Sequence, residues 1–164
     1  MAGKLALGEV RAVSERKQSN HCVAGPCDKP EGLPNRRRVV TFGTFDVFHV
    51  GHLRLLERAR SLGDTLIVGV STDEFTRRKK DRLPVFTEAE RMEILLALRC
   101  VDDVFPEESL EKKREYLIEH RADVLAMGDD WAGKFDEFRD ICEVIYFPRT
   151  PAISTTAVIE KIRL

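Results

Sequence analysis

From residue 39 onward, short apolar runs alternate with longer segments whose apolar positions recur at helical spacing. The runs VVTFG (39–43), TLIVGVS (65–71), VDDVF (101–105), ADVLAMG (122–128) and EVIYFP (143–148) read as strands. The first periodic segment, VGHLRLLERARSLG (50–63), puts Leu55, Leu56, Ala59 and Leu62 on one helix face and stops at Gly63. The second, TEAERMEILLALRC (87–100), opens with Thr87 and has Glu90 three residues on, a capping-box signature ahead of Met92, Ile94, Leu95, Leu96 and Leu98. Residues 109–120 read as an amphipathic helix, 134–142 as a short one, and 154–164 as a closing helix with Ser154 as N-cap.

Strands without a polar face are buried on both sides, which requires a parallel sheet with helices packed on each face. Right-handed crossovers then give an α/β, doubly wound, Rossmann-like sheet of about five parallel strands. Ligands of such sheets sit beyond the carboxyl ends of the strands, so the residues just after each run carry the functional information.

Composition adds boundaries. The chain has 164 residues, enough for one domain with a sizeable core, and 27 basic against 28 acidic side chains leave a net charge of −1. That balance supplies no global reason to bind nucleic acid or a membrane. No apolar stretch is long enough to span a bilayer, and the first residues lack the sustained apolar core of a secretory signal, so a cytoplasmic location is expected. Residues 1–37 are polar and rich in Pro and Gly with no apolar period; they read as a poorly ordered extension preceding a domain over 38–164. Cys22 and Cys27 flank VAGP beside His21, but Cys100 and Cys142 lie far off in sequence, so free thiols are favoured over a zinc site.

The candidate chemistry follows the first and last strands. GTFDVFHVGH (43–52) is a strand-to-helix turn with neither the dinucleotide nor the P-loop glycine pattern. His49 and His52 share one face of the first helical turn, and Gly51 between them opens room for an anion. Alone, the pair could be metal ligands, structural side chains or catalytic groups. After the fifth strand, PRTPAISTT (148–156) offers Arg149 and the hydroxyls of Thr150, Ser154, Thr155 and Thr156 at a second helix start. Two helix starts with phosphate-suited side chains argue for a polyphosphate ligand. The basic run RRKKDR (77–82) reads as a solvated loop, and Lys113, on a highly charged helix, as a surface residue.

HxGH (49–52) after GTFD, together with RTxxISTT (149–156), resembles the nucleotidylyltransferase superfamily. Within it the chain looks most like the glycerol-3-phosphate cytidylyltransferases, on the strength of MGDDWAGKFD (127–136) and LLERARSLGDTLIVGVSTDEF (55–75). The resemblance covers about residues 38–164. It implies transfer of CMP from CTP to glycerol 3-phosphate, with a divalent metal, usually Mg²⁺, bound mainly through the CTP phosphates, and a homodimer. Carried over by position, Thr44, Phe45, His49, Gly51 and His52 would line the triphosphate, and Arg149, Thr150, Ile153, Ser154, Thr155 and Thr156 would close over it. Arg99 and Asp130 would contact the nucleotide, and Lys79 or Lys80, with Lys113, would hold the acceptor phosphate. The catalytic set implied is His49, His52, Lys79 and Arg149, with the 77–82 run as a mobile loop that brings a lysine over both substrates.

The chain departs from the pattern at Val50, where an aromatic residue is usual, and at Pro151 and Ala152, where an acidic residue and glycine are usual. Another phosphate or phosphonate acceptor, a sugar phosphate with ATP, and a non-catalytic nucleotide sensor are the alternatives. No dedicated base is needed, because a phosphate monoester with a second pKa of about 6 is already largely dianionic at neutral pH. The histidines then read as donors to the α-phosphate region, and adjacent phosphate would favour their charged form.

Overall fold

The computed structural model describes residues 36–151 and 153–162. Five strands, β1 (Arg38–Gly43), β2 (Thr65–Ser71), β3 (Asp103–Glu107), β4 (Val124–Gly128) and β5 (Glu143–Phe147), pair in parallel in the order β3-β2-β1-β4-β5. Successive residues of one strand feed opposite cores. Val39 joins Leu66, Val68, Val124 and Ala126 on one face, while its neighbour Val40 joins Ile67, Leu125 and Val144 on the other. That division is why the strand runs are apolar at consecutive positions.

Helices cover both faces. α1 (Val50–Arg60) and α3 (Glu88–Leu96) contribute Leu56, Ala59 and Leu95 to the first core. α4 (Lys113–Glu119) and the 3₁₀ segment Asp136–Asp140 contribute Leu117 and Phe138 to the second. The chain runs outward from β1 through β2 to β3, then returns to place β4 on the free side of β1. The direction of winding therefore reverses between β1 and β4, and a crevice opens beyond their carboxyl ends.

The capping signals are realised. Thr87 and Glu90 exchange their two hydrogen bonds at the start of α3, and the Ser154 hydroxyl accepts from the backbone N–H of Ala157 at 3.1 Å ahead of α5 (Thr155–Ile162). Several expectations need correction. The basic run is not wholly a loop: Arg77–Lys80 form the last turn of α2 (Asp73–Lys80). This helix is short and buries only Phe75 and Thr76, so it has almost no apolar period to read. Its signature is electrostatic instead: Thr72 caps the N-terminus, Asp73 and Glu74 occupy the first turn, and basic residues fill the last.

The remaining differences concern boundaries. β3 starts two residues later than expected, α4 is confined to Lys113–Glu119, and the short helix near 134–142 is a 3₁₀ segment. Cys142 is buried and Cys100 half-buried, both as free thiols; His21, Cys22 and Cys27 lie outside the described residues, as does nearly all of the extension. Among the described residues no helix is long and apolar enough to cross a membrane.

Candidate active site

A cavity of about 560 Å³ occupies the crevice beyond the strand ends. Its lining draws on every segment singled out in the sequence: Thr44, Phe45, His49, Gly51 and His52 after β1, Lys79 and Lys80 on α2, and Lys113 on α4. Asp130 follows β4, and Arg149, Thr150, Ile153, Ser154, Thr155 and Thr156 follow β5. Arg99 is the exception. It is exposed beyond the end of α3 and does not line the cavity of this chain.

The histidine turn is built around the start of α1. His49 is its N-cap, with extended backbone, and its Nδ1 accepts from the N–H groups of Gly51 at 3.1 Å and His52 at 3.3 Å. An Nδ1 that accepts two hydrogen bonds leaves the proton on Nε2, so the ring presents a donor. The two imidazoles stack with centroids 3.8 Å apart and planes 15° apart, and Phe45 packs edge-on against His52 at 5.4 Å. A Cβ at Gly51 would fall 2.9 Å from His49 ring atoms and 3.0 Å from Ile153 Cγ2. The missing side chain thus makes room for the His49 ring and the β5 loop as well as for a ligand.

Burial pushes the His52 pKa down to about 3, with the neighbouring His49 adding to the effect and Asp46 opposing it. His49 is also lowered, again chiefly by burial. The expectation of charged histidines therefore requires the phosphate itself; without it both rings are neutral at pH 7. His52 Nδ1 is buried and has no hydrogen-bond partner among the described residues.

Opposite the histidines stand the cations. The Lys80 ammonium lies 3.4 Å from the Thr44 hydroxyl, and the Lys79 ammonium lies 4.1 Å from the centre of the Trp131 ring. Burial lowers both pKa values, and for Lys79 the Glu107 carboxylate offsets part of that. Lys113 is not a surface residue: it is 1% exposed, ion-paired with Glu107, and its Nζ sits 3.6 Å from the centre of the Phe42 ring. Arg149 is largely exposed and pairs with Asp130 at 3.1 Å.

Two buried charged residues that sequence reasoning missed hold these parts together. Asp46 accepts from the N–H groups of Val47 at 3.1 Å and of Val85 and Phe86 at 3.0 Å, while its carbonyl accepts from the Thr155 hydroxyl at 3.0 Å. It thereby fixes a turn in which Phe45 and Val47 have φ of 52° and 46°, a costly conformation for a β-branched valine. Arg91, 1% exposed, donates to the carbonyls of Thr44, Ser71 and Phe86 and to the Asp73 carboxylate. A polar residue at a helical position facing the core, as Arg91 is within α3, was the available signal for it.

The crevice at the winding reversal is lined by an HxGH helix start, a basic helix end and a hydroxyl-rich loop, a set of groups suited to a phosphate-bearing ligand. Residues 40–161 match the cytidylyltransferase-like family, and the chain belongs to it. The chain is 50% identical over 126 residues to the glycerol-3-phosphate cytidylyltransferase of Bacillus subtilis strain 168, covering 77% of this chain and 97% of that one. It is 44% identical to the Staphylococcus aureus enzyme of the same name, over 77% and 95% of the two chains. The crystal structure of a lipopolysaccharide core biosynthesis protein from Thermoplasma volcanium superposes with a TM-score of 0.62 at 26% identity, over 71% of this chain and 99% of that one.

Proposed function

We propose that the chain is a nucleotidyltransferase that moves CMP from CTP to glycerol 3-phosphate, releasing pyrophosphate and forming CDP-glycerol. The observation that carries this reading is the meeting of His49, His52, Lys79, Lys80, Lys113 and Arg149 on one cavity, in a chain whose relatives bear that activity. An oxygen of the acceptor phosphate attacks the α-phosphorus of CTP in line. The new P–O bond forms as the bond to the β-phosphate oxygen breaks, and pyrophosphate leaves with that electron pair. The protein's task is positioning and charge stabilisation rather than proton abstraction.

His49 Nε2–H and His52 address the α-phosphate, where negative charge accumulates. Thr44 and the hydroxyls of the Arg149–Thr156 loop hold the remaining phosphates, with Arg149 exchanging Asp130 for phosphate oxygens. Lys79 and Lys113 hold the acceptor phosphate, and Lys80, beside Thr44, stands nearer the nucleotide. Of the carboxylates in the cavity, Asp46 is engaged by backbone N–H groups and Glu107 by Lys113. They fit a metal that arrives on the nucleotide and takes most of its ligands from phosphate. Mg²⁺ held that way would neutralise phosphate charge and favour departure of pyrophosphate. A homodimer, testable by light scattering, and a cytoplasmic location complete the proposal.

A panel of nucleoside triphosphates against phosphate monoesters, read by pyrophosphate release, tests the reading. Turnover should be greatest with CTP and glycerol 3-phosphate. His49→Ala and His52→Ala should each lower it by roughly 10²-fold or more. CTP binding without turnover on any acceptor would make the protein a sensor instead, and turnover on phosphoethanolamine or a sugar phosphate alone would reassign the acceptor.

A further inference from the structure

Helix α1 presents His49 and His52 at its start, but it also reaches the opposite wall of the cavity through Arg58. Nη1 of Arg58 donates to the Pro148 carbonyl at 3.0 Å, its Nε donates to the Arg54 carbonyl at 3.1 Å, and its guanidinium carbon lies 5.2 Å from the centre of the Phe147 ring. Pro148 is the residue at which β5 gives way to the loop. The β4–β5 ladder ends at the Gly128–Phe147 pair, so the next carbonyl has no strand partner, and Arg58 supplies its donor. The other end of the loop is held by the Thr155 hydroxyl on the Asp46 carbonyl at 3.0 Å. Between the two anchors, the Arg149 backbone N–H lies 3.4 Å from the Asp129 carboxylate and its guanidinium pairs with Asp130 at 3.1 Å.

We infer that Arg58 is a positioning residue: it pins the root of the Arg149–Thr156 loop to the histidine helix, so that Arg149 and the two imidazoles address the same triphosphate. The inference rests on the nucleotide-binding reading above. Its physical content is preorganisation. A flexible loop must be ordered when CTP binds, whereas one already fixed at both ends gives up less freedom. The charged donor, the carbonyl at a strand end and the aromatic ring together form one anchor.

Arg58 also borders the cavity, so direct contact with phosphate is the competing explanation, and a double-mutant cycle separates the two. CTP affinity is measured by calorimetry on the full chain for the parent, Arg58→Met, Arg149→Ala and the double variant. Arg58→Met should weaken binding about tenfold, the effect of losing one charge-assisted hydrogen bond. In the Arg149→Ala background the same change should matter less than in the parent, because the charged group being positioned is gone and only the loop hydroxyls remain. Arg58→Lys, which keeps the cation over Phe147 and one donor, should recover most of the loss. Full additivity, or parent-like binding by Arg58→Met, would overturn the inference while leaving the nucleotide site intact. A parent chain that binds no CTP would overturn both. Should Arg58→Met not fold, Arg58→Gln takes its place in the cycle with the same expectations.

Discussion

Glu107→Ala probes the floor of the cavity. Lys113 is 1% exposed and Glu107 2%, and the Glu107 carboxylate also accepts from the Ser71 hydroxyl at 2.8 Å. The other neighbours of the ammonium are the rings of Phe42 and Phe135, with Lys79 adding a like charge from α2. Removing the carboxylate therefore strands a buried cation, which costs about 3–5 kcal/mol. A ceiling follows from titration. The lysine can always shed its proton, and discharging a group with an unfolded pKa near ~10.4 costs no more than about 4.6 kcal/mol at pH 7.

The sign of the pH dependence follows from the same point. Burial already lowers the Lys113 pKa, and loss of Glu107 lowers it further. Folded Lys113 then binds fewer protons than unfolded Lys113, so the variant gains stability as pH rises from its folded pKa towards ~10.4. Urea unfolding at pH 7 and pH 9 should show a penalty of several kcal/mol that shrinks at the higher pH. The double replacement Glu107→Leu with Lys113→Met should recover most of it. A loss below about 1 kcal/mol at pH 7, or one indifferent to pH, would refute the buried pair. Steady-state kinetics of Glu107→Ala should also show a larger rise in KM for the acceptor than for CTP.

Thr87→Ala removes the hydroxyl that accepts from the Glu90 N–H, one half of the α3 capping box, and should cost about 1 kcal/mol in thermal or urea unfolding. His52 stays neutral in the folded chain down to about pH 3, so its stability contribution is whole above ~6.5 and declines as pH falls from there towards about 3. Titration of the imidazole by NMR should show that depressed value, and His52→Phe should flatten the acid limb of the stability curve. Lys80→Ala should raise the KM for CTP, because Lys80 stands beside Thr44, whereas Lys79→Ala should act chiefly on the acceptor.

The sheet was legible because each strand is marked by side chains for two cores, as consecutive Val39 and Val40 illustrate. α3 was legible because its cap is local chemistry. α2 was not, because a helix that buries only Phe75 and Thr76 owes its existence to end charges and to Arg91, whose bonds to Ser71 and Asp73 span the fold. The same reason hid Lys113: helical spacing places it on α4, but only the approach of β3 and β1 puts Glu107 and Phe42 against its ammonium. His49 and His52 were found from spacing, yet their neutral state and the role of His49 Nδ1 as a helix cap depend on burial and backbone geometry. Asp46 stands inside GTFDVFHVGH, but no local pattern marks it, since its partners at Val85 and Phe86 lie about forty residues away.

In the proposed reaction the cavity joins a phosphate monoester to the α-phosphate of CTP. Mixing the chain with CTP, glycerol 3-phosphate and Mg²⁺ and following ³¹P NMR tests this most directly. A diphosphate diester and pyrophosphate should appear in equal amounts. Unchanged CTP, or CTP cleaved to CMP and pyrophosphate whether or not glycerol 3-phosphate is present, would contradict it.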